Sequence, residues 1–179
     1  MLEFNVTGIG VDTRTNNPLV ILHSQSKEED LILPIWIGRT EAQSIAIALQ
    51  EETLERPLTH DLMITMAEAL GCKVDRVAIH SVMSGTYYAN LILKHKISKE
   101  ETVLDARPSD CISLALRVNC PILVSDNVIE ESCVPAIVET GDDEGPEDNK
   151  EKEQFMQFLD GVKASDFKLP PDDLHNLNG

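Results

Sequence analysis

Two stretches of this chain run alike. Residues 18–32 read PLVILHSQSKEEDLI and residues 90–104 read NLILKHKISKEETVL, so His23 falls on His95 and Ser26-Lys27-Glu28-Glu29 on Ser98-Lys99-Glu100-Glu101. In each, an apolar run of strand length enters a polar turn and a second run leaves it, the pattern of a β-hairpin. An Arg (Arg39, then Arg107) and an apolar helical segment follow both times. A chain that repeats a unit in this way is expected to be α+β, an internal duplication of a three-strand, two-helix unit. Its halves would be about 1–71 and 72–138, forming mixed or antiparallel sheets with flanking helices.

The rest of the pattern fills in that unit. Residues 2–11 are rich in β-formers and lead to a polar loop, so three strands are expected before Gly38-Arg39-Thr40 breaks the run. Thr40 and Gln43 have capping-box spacing, and Ala42, Ile45, Ala46 and Leu49 supply a helical face. A second helix is expected from Thr59, which can cap it, with Asp61 in the first turn, Leu62, Met66 and Leu70 along one face, and Gly71 as the stop. In the second half, strands over 73–83, 87–94 and 101–104 lead to a helix opened by Pro108 and ended by Asn119. A short strand at 122–124 follows, and then a helical turn beginning at Ser125. His80 lies within an apolar strand and reads as a satisfied core histidine.

The net charge of −16 at pH 7 is unevenly placed: residues 1–125 carry −5 and residues 126–179 carry −11. An acidic surface repels phosphate backbones, so contact with nucleic acid would need a local site on the first part of the chain. Residues 139–153 read as an acidic flexible linker. Phe155, Phe158, Leu159 and Val162 then recur at helical spacing, which predicts a docked helix over 154–169 with Phe155 and Phe158 buried, before a disordered tail at 170–179. Cys72, Cys111, Cys120 and Cys133 lack the paired spacing of a zinc site and read as reduced, partly buried thiols. No apolar run is long enough to cross a membrane and the N-terminus has no signal-like region, so a cytoplasmic protein is expected. Sheet faces rich in Val, Ile and Leu, with strand edges to protect, suggest a homodimer.

Two polar helix starts could carry chemistry. Thr59-His60-Asp61 offers a His beside an Asp at a point where backbone N–H groups are free, suited to proton transfer, anion contact or a cation. Asp105-Ala-Arg107-Pro-Ser109-Asp110 sets carboxylates on either side of an Arg, suited to a cation and a phosphate together. Each also has a purely structural explanation in helix caps and Arg–Asp pairs. Tyr87, Tyr88, Lys94, His95, Lys96 and Lys99 form an aromatic and basic concentration that reads better as a lysine-protected hairpin edge than as a stacking platform. The P-loop, GxGxxG, HExxH, CxxC and GxSxG motifs are absent.

Residues 55–63 (ERPLTHDLM), 104–117 (LDARPSDCISLALR), and 155–167 (F-x-x-F-L-x-x-V-K-x-x-D-F) resemble the bifunctional nuclease domain family. So does LPIWIG at 33–38 with Glu41-Ala42 after it, and the likeness spans roughly 1–169. Cys111 stands where the family pattern often has Ala. The resemblance implies an α+β fold and nuclease activity on RNA and DNA. The site expected from the residues themselves is catalytic His60, Asp61, Arg107 and Asp110. Arg39, Thr59 and Ser109 would contact substrate, and Asp61, Asp105 and Asp110 would hold a divalent cation such as Mg or Mn. The competing expectation is a non-enzymatic regulatory or protein-interaction module with an acidic tail. Convergence of His60, Asp61, Arg107 and Asp110 in one open cleft would favour the enzyme; local pairing of each, far apart from the others, would favour the module.

Overall fold

The computed structural model describes residues 1–12, 14–26, 30–50 and 54–136. The expected linker at 139–153, the helix over 154–169 with Phe155 and Phe158, the tail at 170–179 and the Lys27-Glu28-Glu29 part of the first turn lie outside the described residues.

The chain runs β1 (Leu2–Val11), β2 (Pro18–Ser24), β3 (Leu31–Trp36), α1 (Arg39–Leu49) and α2 (Thr59–Ala69). It continues with β4 (Cys72–Met83), β5 (Thr86–His95), β6 (Glu101–Ala106), α3 (Pro108–Val118), β7 (Ile122–Val124), α4 (Asp126–Ser132) and β8 (Val134–Pro135). The strands form one mixed sheet in the order β6-β5-β4-β7-β1-β2-β3-β8. Two antiparallel meanders, β1-β2-β3 and β4-β5-β6, flank β7, which lies antiparallel to β1 and parallel to β4. The fold is α+β, as expected.

Each half thus begins with a meander, but the repeated hairpins do not pair alike. In the first, Leu22 faces Leu33; a strict copy would set Lys94 opposite Asp105, whereas Lys94 faces Glu101. Their turns also differ in bonding. The His23 ring bonds Asp30, while the His95 ring stays inside its own turn, where Nδ1 accepts the Ser98 N–H at 3.1 Å. Similar sequence here yields two hairpins of different register, and the recurrence of element order does not establish a duplication.

The core is one cluster between the sheet and the helices. Phe4, Val20, Leu22 and Leu33 from the first meander meet Val77 and Ile79 from β4, Val124 from β7, and the helix residues Ile45, Ile112 and Val128. Helix α1 packs on β1, β2 and α3, and α3 on β4 and β5. Helix α2 lies against β4 and α3 with no buried residue.

The caps differ in part from expectation. Helix α1 starts after Gly38 with no side-chain cap, so Thr40 and Gln43 form no capping box. Helix α2 is capped at Leu58, not Thr59: Asp61 Oδ2 accepts the Leu58 N–H at 2.8 Å, because a carboxylate one turn in reaches back over the helix start. Pro108 opens α3, Asn119 closes it in the left-handed region, and Ser125 caps α4 by accepting the Val128 N–H. Gly71 is required where it stands. Its φ is +76°, and a Cβ there would meet the His95 ring at 3.1 Å.

Candidate functional site

The packing of α1, α2 and α3 decides which polar side chains meet. Arg107, the residue before α3, folds over the helix start to Asp110, with Nε 2.8 Å from Oδ2 and Nη2 3.2 Å from Oδ1. Its Nη1 reaches Glu41 Oε1 of α1 at 2.9 Å. Asp110 Oδ1 is also 3.3 Å from His60 Nε2, which joins α3 to α2. The other ring nitrogen of His60, Nδ1, lies 2.9 Å from Ser44 Oγ of α1. The result is one continuous chain of contacts, Glu41–Arg107–Asp110–His60–Ser44, drawn from three helices.

A second pair lies beside it. Arg117 Nε bonds Asp61 Oδ1 at 2.8 Å, and the same guanidinium donates to the carbonyls of Ser113 at 2.9 Å and Ser44 at 3.2 Å. The Arg117 side chain is only 9% exposed although its partner Asp61 is 38% exposed, while Arg107 is 65% exposed. The assembly therefore has a buried end at Arg117 and a wet end at Arg107.

Electrostatics follow from these contacts. Burial works to raise Asp110, but the hydrogen bonds from Arg107 and His60 outweigh it and hold the carboxyl below its ordinary value. Hydrogen bonding and attraction to Asp110, then to Glu41, raise Arg107 further above its ordinary value. Asp110 is thus an anion across the neutral range. In a neutral His60, the proton on Nε2 would point at Asp110 and leave Nδ1 to accept from a hydroxyl, an orientation suited to a general base. Cys111, Cys120 and Cys133 do not compete as nucleophiles: burial pushes Cys111 up to about 12 and Cys120 and Cys133 to about 11.

The expected site residues divide accordingly. His60, Arg107 and Asp110 meet directly, and Asp61 stands next to them through Arg117 and Ser44. Arg39 and Thr59 are exposed at the starts of α1 and α2, without a hydrogen bond or ion pair among the described residues. Ser109 is 7% exposed, turned into the fold because α3 packs on the sheet with that side of its first turn, and so does not present its hydroxyl to a substrate. Asp105 sits exposed on edge strand β6, without a hydrogen bond or ion pair among the described residues.

As placed, Asp61, Asp105 and Asp110 do not fit a divalent cation. Asp61 is given to Arg117 and the Leu58 N–H, Asp110 to Arg107 and His60, and Asp105, exposed on β6, has no side-chain bond to either. Among the described residues no three His, Cys, Asp or Glu converge as a metal set would. The basic hairpin is likewise accounted for locally, with Lys94 near Glu101 and Lys96 near Glu68 at 3.9 Å each. His80 is partly buried, its Nδ1 3.0 Å from Ser81 Oγ.

Sequence reasoning missed Ser44 and Arg117. Ser44 looks like any small polar residue on a helix, and Arg117 like a last-turn cation serving the macrodipole. An Arg spaced seven from Asp110, two turns along the same face of α3, is the one signal that could have been followed. An open groove of about 720 Å³ adjoins the Asp61–Arg117 pair, lined also by Leu54, Arg56, Pro57 and Leu116. It does not include His60, Asp110 or Arg107, so this groove lies one step away from the polar chain.

A mixed-sheet α+β domain with a His–Asp–Arg junction across its helical layer is the class of protein defined so far. The bifunctional nuclease domain matches residues 20–136. An uncharacterized protein of Mycobacterium tuberculosis is 39% identical over 170 residues, 94% of this chain and 99% of that protein. Bifunctional nuclease 1 of Oryza sativa subsp. indica is 34% identical over 100 residues, 55% of this chain and 30% of its own length. Bifunctional nuclease 1 of Arabidopsis thaliana is 29% identical over 113 residues, 61% of this chain and 34% of its own. The chain belongs to the bifunctional nuclease domain family. It spans about a third of the length of these plant relatives. No described helix is long and apolar enough to cross a membrane.

Proposed function

We propose that this protein is a nuclease that hydrolyses phosphodiester bonds in RNA or DNA in the cytoplasm, with its chemistry at the junction of α2 and α3. The observation that carries this reading is the His60–Asp110–Arg107 contact, a base, a carboxylate and a guanidinium brought together from separate helices in a domain shared with proteins named bifunctional nucleases. Asp110 orients His60 through Nε2. Nδ1, now facing the Ser44 hydroxyl, accepts a proton from the attacking water. The water oxygen bonds phosphorus, the bond to the leaving oxygen breaks, and that oxygen takes a proton from solvent. Arg107 exchanges part of its contact with Glu41 for a phosphoryl oxygen, where a planar guanidinium suits the developing charge. Arg39 and Arg56, without ion pairs among the described residues, supply further local positive charge on an otherwise acidic chain.

Asp110 and Asp61 are engaged by arginines, and Asp105, on β6, is unpaired among the described residues. A metal-assisted reaction would need Asp110 or Asp61 to exchange its arginine for the ion. The test is cleavage of RNA and single-stranded DNA by highly purified protein, with and without EDTA, for wild type and for Asp110→Asn, His60→Ala and Arg107→Lys. The first two should lose most cleavage while remaining folded, and Arg107→Lys should be slower, because an ammonium lacks the bidentate fork. Cleavage at the wild-type rate in all three well-folded variants overturns the assignment.

A second reading has its own observation: every charged member of the cluster is already paired within the protein, and those pairs tie α1, α2 and α3 together. On that reading the domain is a non-enzymatic regulatory or interaction module. The same variants would then lose melting temperature, and the purified wild type would show no cleavage to lose.

A further inference from the structure

A serine inside a helix commonly gives its hydroxyl to the carbonyl four residues back. Ser44, in the middle of α1, instead sets Oγ 2.9 Å from Nδ1 of His60 on α2. The other nitrogen of the same ring, Nε2, lies 3.3 Å from Asp110 Oδ1 on α3. Asp110 is held in turn by Nε and Nη2 of Arg107. A hydroxyl, an imidazole and an anchored carboxylate in line are the parts by which a serine is made nucleophilic: the ring takes its proton and the carboxylate orients the ring. The two ring nitrogens are exchanged relative to the chymotrypsin kind of triad, with Nδ1 toward the serine. Either nitrogen serves, since a proton fixed on one by a carboxylate leaves the other basic.

The surroundings of Ser44 select what it would attack. Glu41, which holds Arg107, is three residues before it. Ile47 and Ala48, which line the open groove, are three and four residues after it. Residues at those spacings share a helix face, so Ser44 lies between a guanidinium and the groove that also carries Arg56 and Arg117. Both Ser44 and His60 are partly exposed. In mid-helix the backbone N–H groups are spent on the helix itself, so none beside Ser44 is free to hold the oxyanion of a carboxylic ester. The positive groups at hand are arginines, whose planar forks fit phosphoryl oxygens. A phosphodiester is the better match.

We infer that Ser44 is the nucleophile of this site and forms a phosphoseryl intermediate. Ser44 then takes the first attack from water within the nuclease reading, on which this inference rests. Ser44 Oγ bonds phosphorus as its proton passes to His60 Nδ1. The bond to the leaving oxygen breaks, and that oxygen takes a proton from solvent. Water next attacks the opposite side of phosphorus and releases a proton to solvent. The P–Oγ bond breaks, and Oγ recovers the proton held on Nδ1. Two successive displacements restore the starting configuration at phosphorus, whereas a single attack by water inverts it.

The test uses the full chain and two reagents. The first is a fluorophosphonate, whose phosphorus an activated serine attacks with loss of fluoride. It should add to Ser44 of the wild type, located by peptide mass. Labelling should disappear in Ser44→Ala and His60→Ala and slow in Asp110→Asn. The second is DNA with a phosphorothioate of one configuration, cleaved in heavy-oxygen water. The product should retain configuration, and Ser44→Ala should cleave about 100-fold more slowly or worse while folded by circular dichroism. The labelling of Ser44 and the stereochemistry need only the wild type, and so stand even if variants fail to fold. Inverted configuration, or wild-type cleavage by Ser44→Ala, overturns the serine and leaves the nuclease reading intact. A wild type that cleaves nothing but labels at Ser44 overturns the nuclease reading and keeps the activated serine. With neither cleavage nor label, both fall.

Discussion

Helices α2 and α3 are each 11 residues long, begin with a polar residue group that carries an Asp in the first turn, and have apolar residues at helical spacing. They end in opposite situations. Seven residues of α3 are buried, from Pro108 to Ala115, while α2 buries none. Helix α3 lies directly on β4 and β5 against α1, so its apolar side becomes core. Helix α2 sits outside it, with His60, Ile64 and Ala67 turned inward and Leu62, Met63 and Met66 outward. Apolar periodicity reports that a helix has two faces. It does not report which face meets this domain and which meets something else.

The comparison can be broken most severely in the core. Ile112→Ala, at a fully buried position, should cost about 2–5 kcal/mol of unfolding free energy in urea, the usual range for deleting a large aliphatic side chain where the site cannot collapse. Leu70→Ala, at a position 75% exposed, should stay within about 0.5 kcal/mol when the protein is dilute enough to be a single chain. Equal costs at the two positions in dilute protein would show that α2 is covered by its own chain.

An intermediate effect is expected where the two helices are tied together. Asp61→Asn keeps the shape of the side chain but leaves the nearly buried Arg117 without its counter-charge, so about 1–3 kcal/mol should be lost. Loss below 0.5 kcal/mol by chemical denaturation would mean that the carbonyls of Ser113 and Ser44 satisfy Arg117 alone.

The smallest expected effect is one of pH. Asp110 is held below its ordinary value in the folded protein, so the stability it contributes is present above the unfolded-state value of about 4 and is lost as pH falls through the lower folded value. The stability gap between wild type and Asp110→Asn should therefore narrow as pH falls below about 4. A gap that widens in acid would mean that the carboxyl is raised in the folded state.

Much of this was legible in the residues. The strands over 2–11 and 122–124, the Pro108 start and the Asn119 stop follow from local rules of turn and cap, and they fall where expected. The meeting of His60 with Asp110 was a named possibility, since both occupy polar helix starts. The rest is chemistry that depends on a partner. Thr40 and Thr59 are good caps in isolation, but the chain begins each helix one or more residues earlier. Asp61 and Asp105 have the chemistry of cation ligands, yet one is taken by Arg117 and the other stands on an outer strand. The like turns around His23 and His95 close in different registers, because register is set by the whole strand pair rather than by the turn sequence.

By itself, then, the sequence determined element type, the polar helix starts, the hairpins and membership of a nuclease-domain family. These depend on neighbours a few residues apart, where backbone sterics and capping act. Only the tertiary structure decided that Ser44, His60, Asp110, Arg107 and Glu41 form one line of contacts while Arg117 withdraws Asp61 from it. It also decided that Leu62, Met66 and Leu70 face outward. Those outcomes depend on how three helices stack on one sheet, and a side chain's charge state, exposure and availability are fixed only when its distant partners arrive.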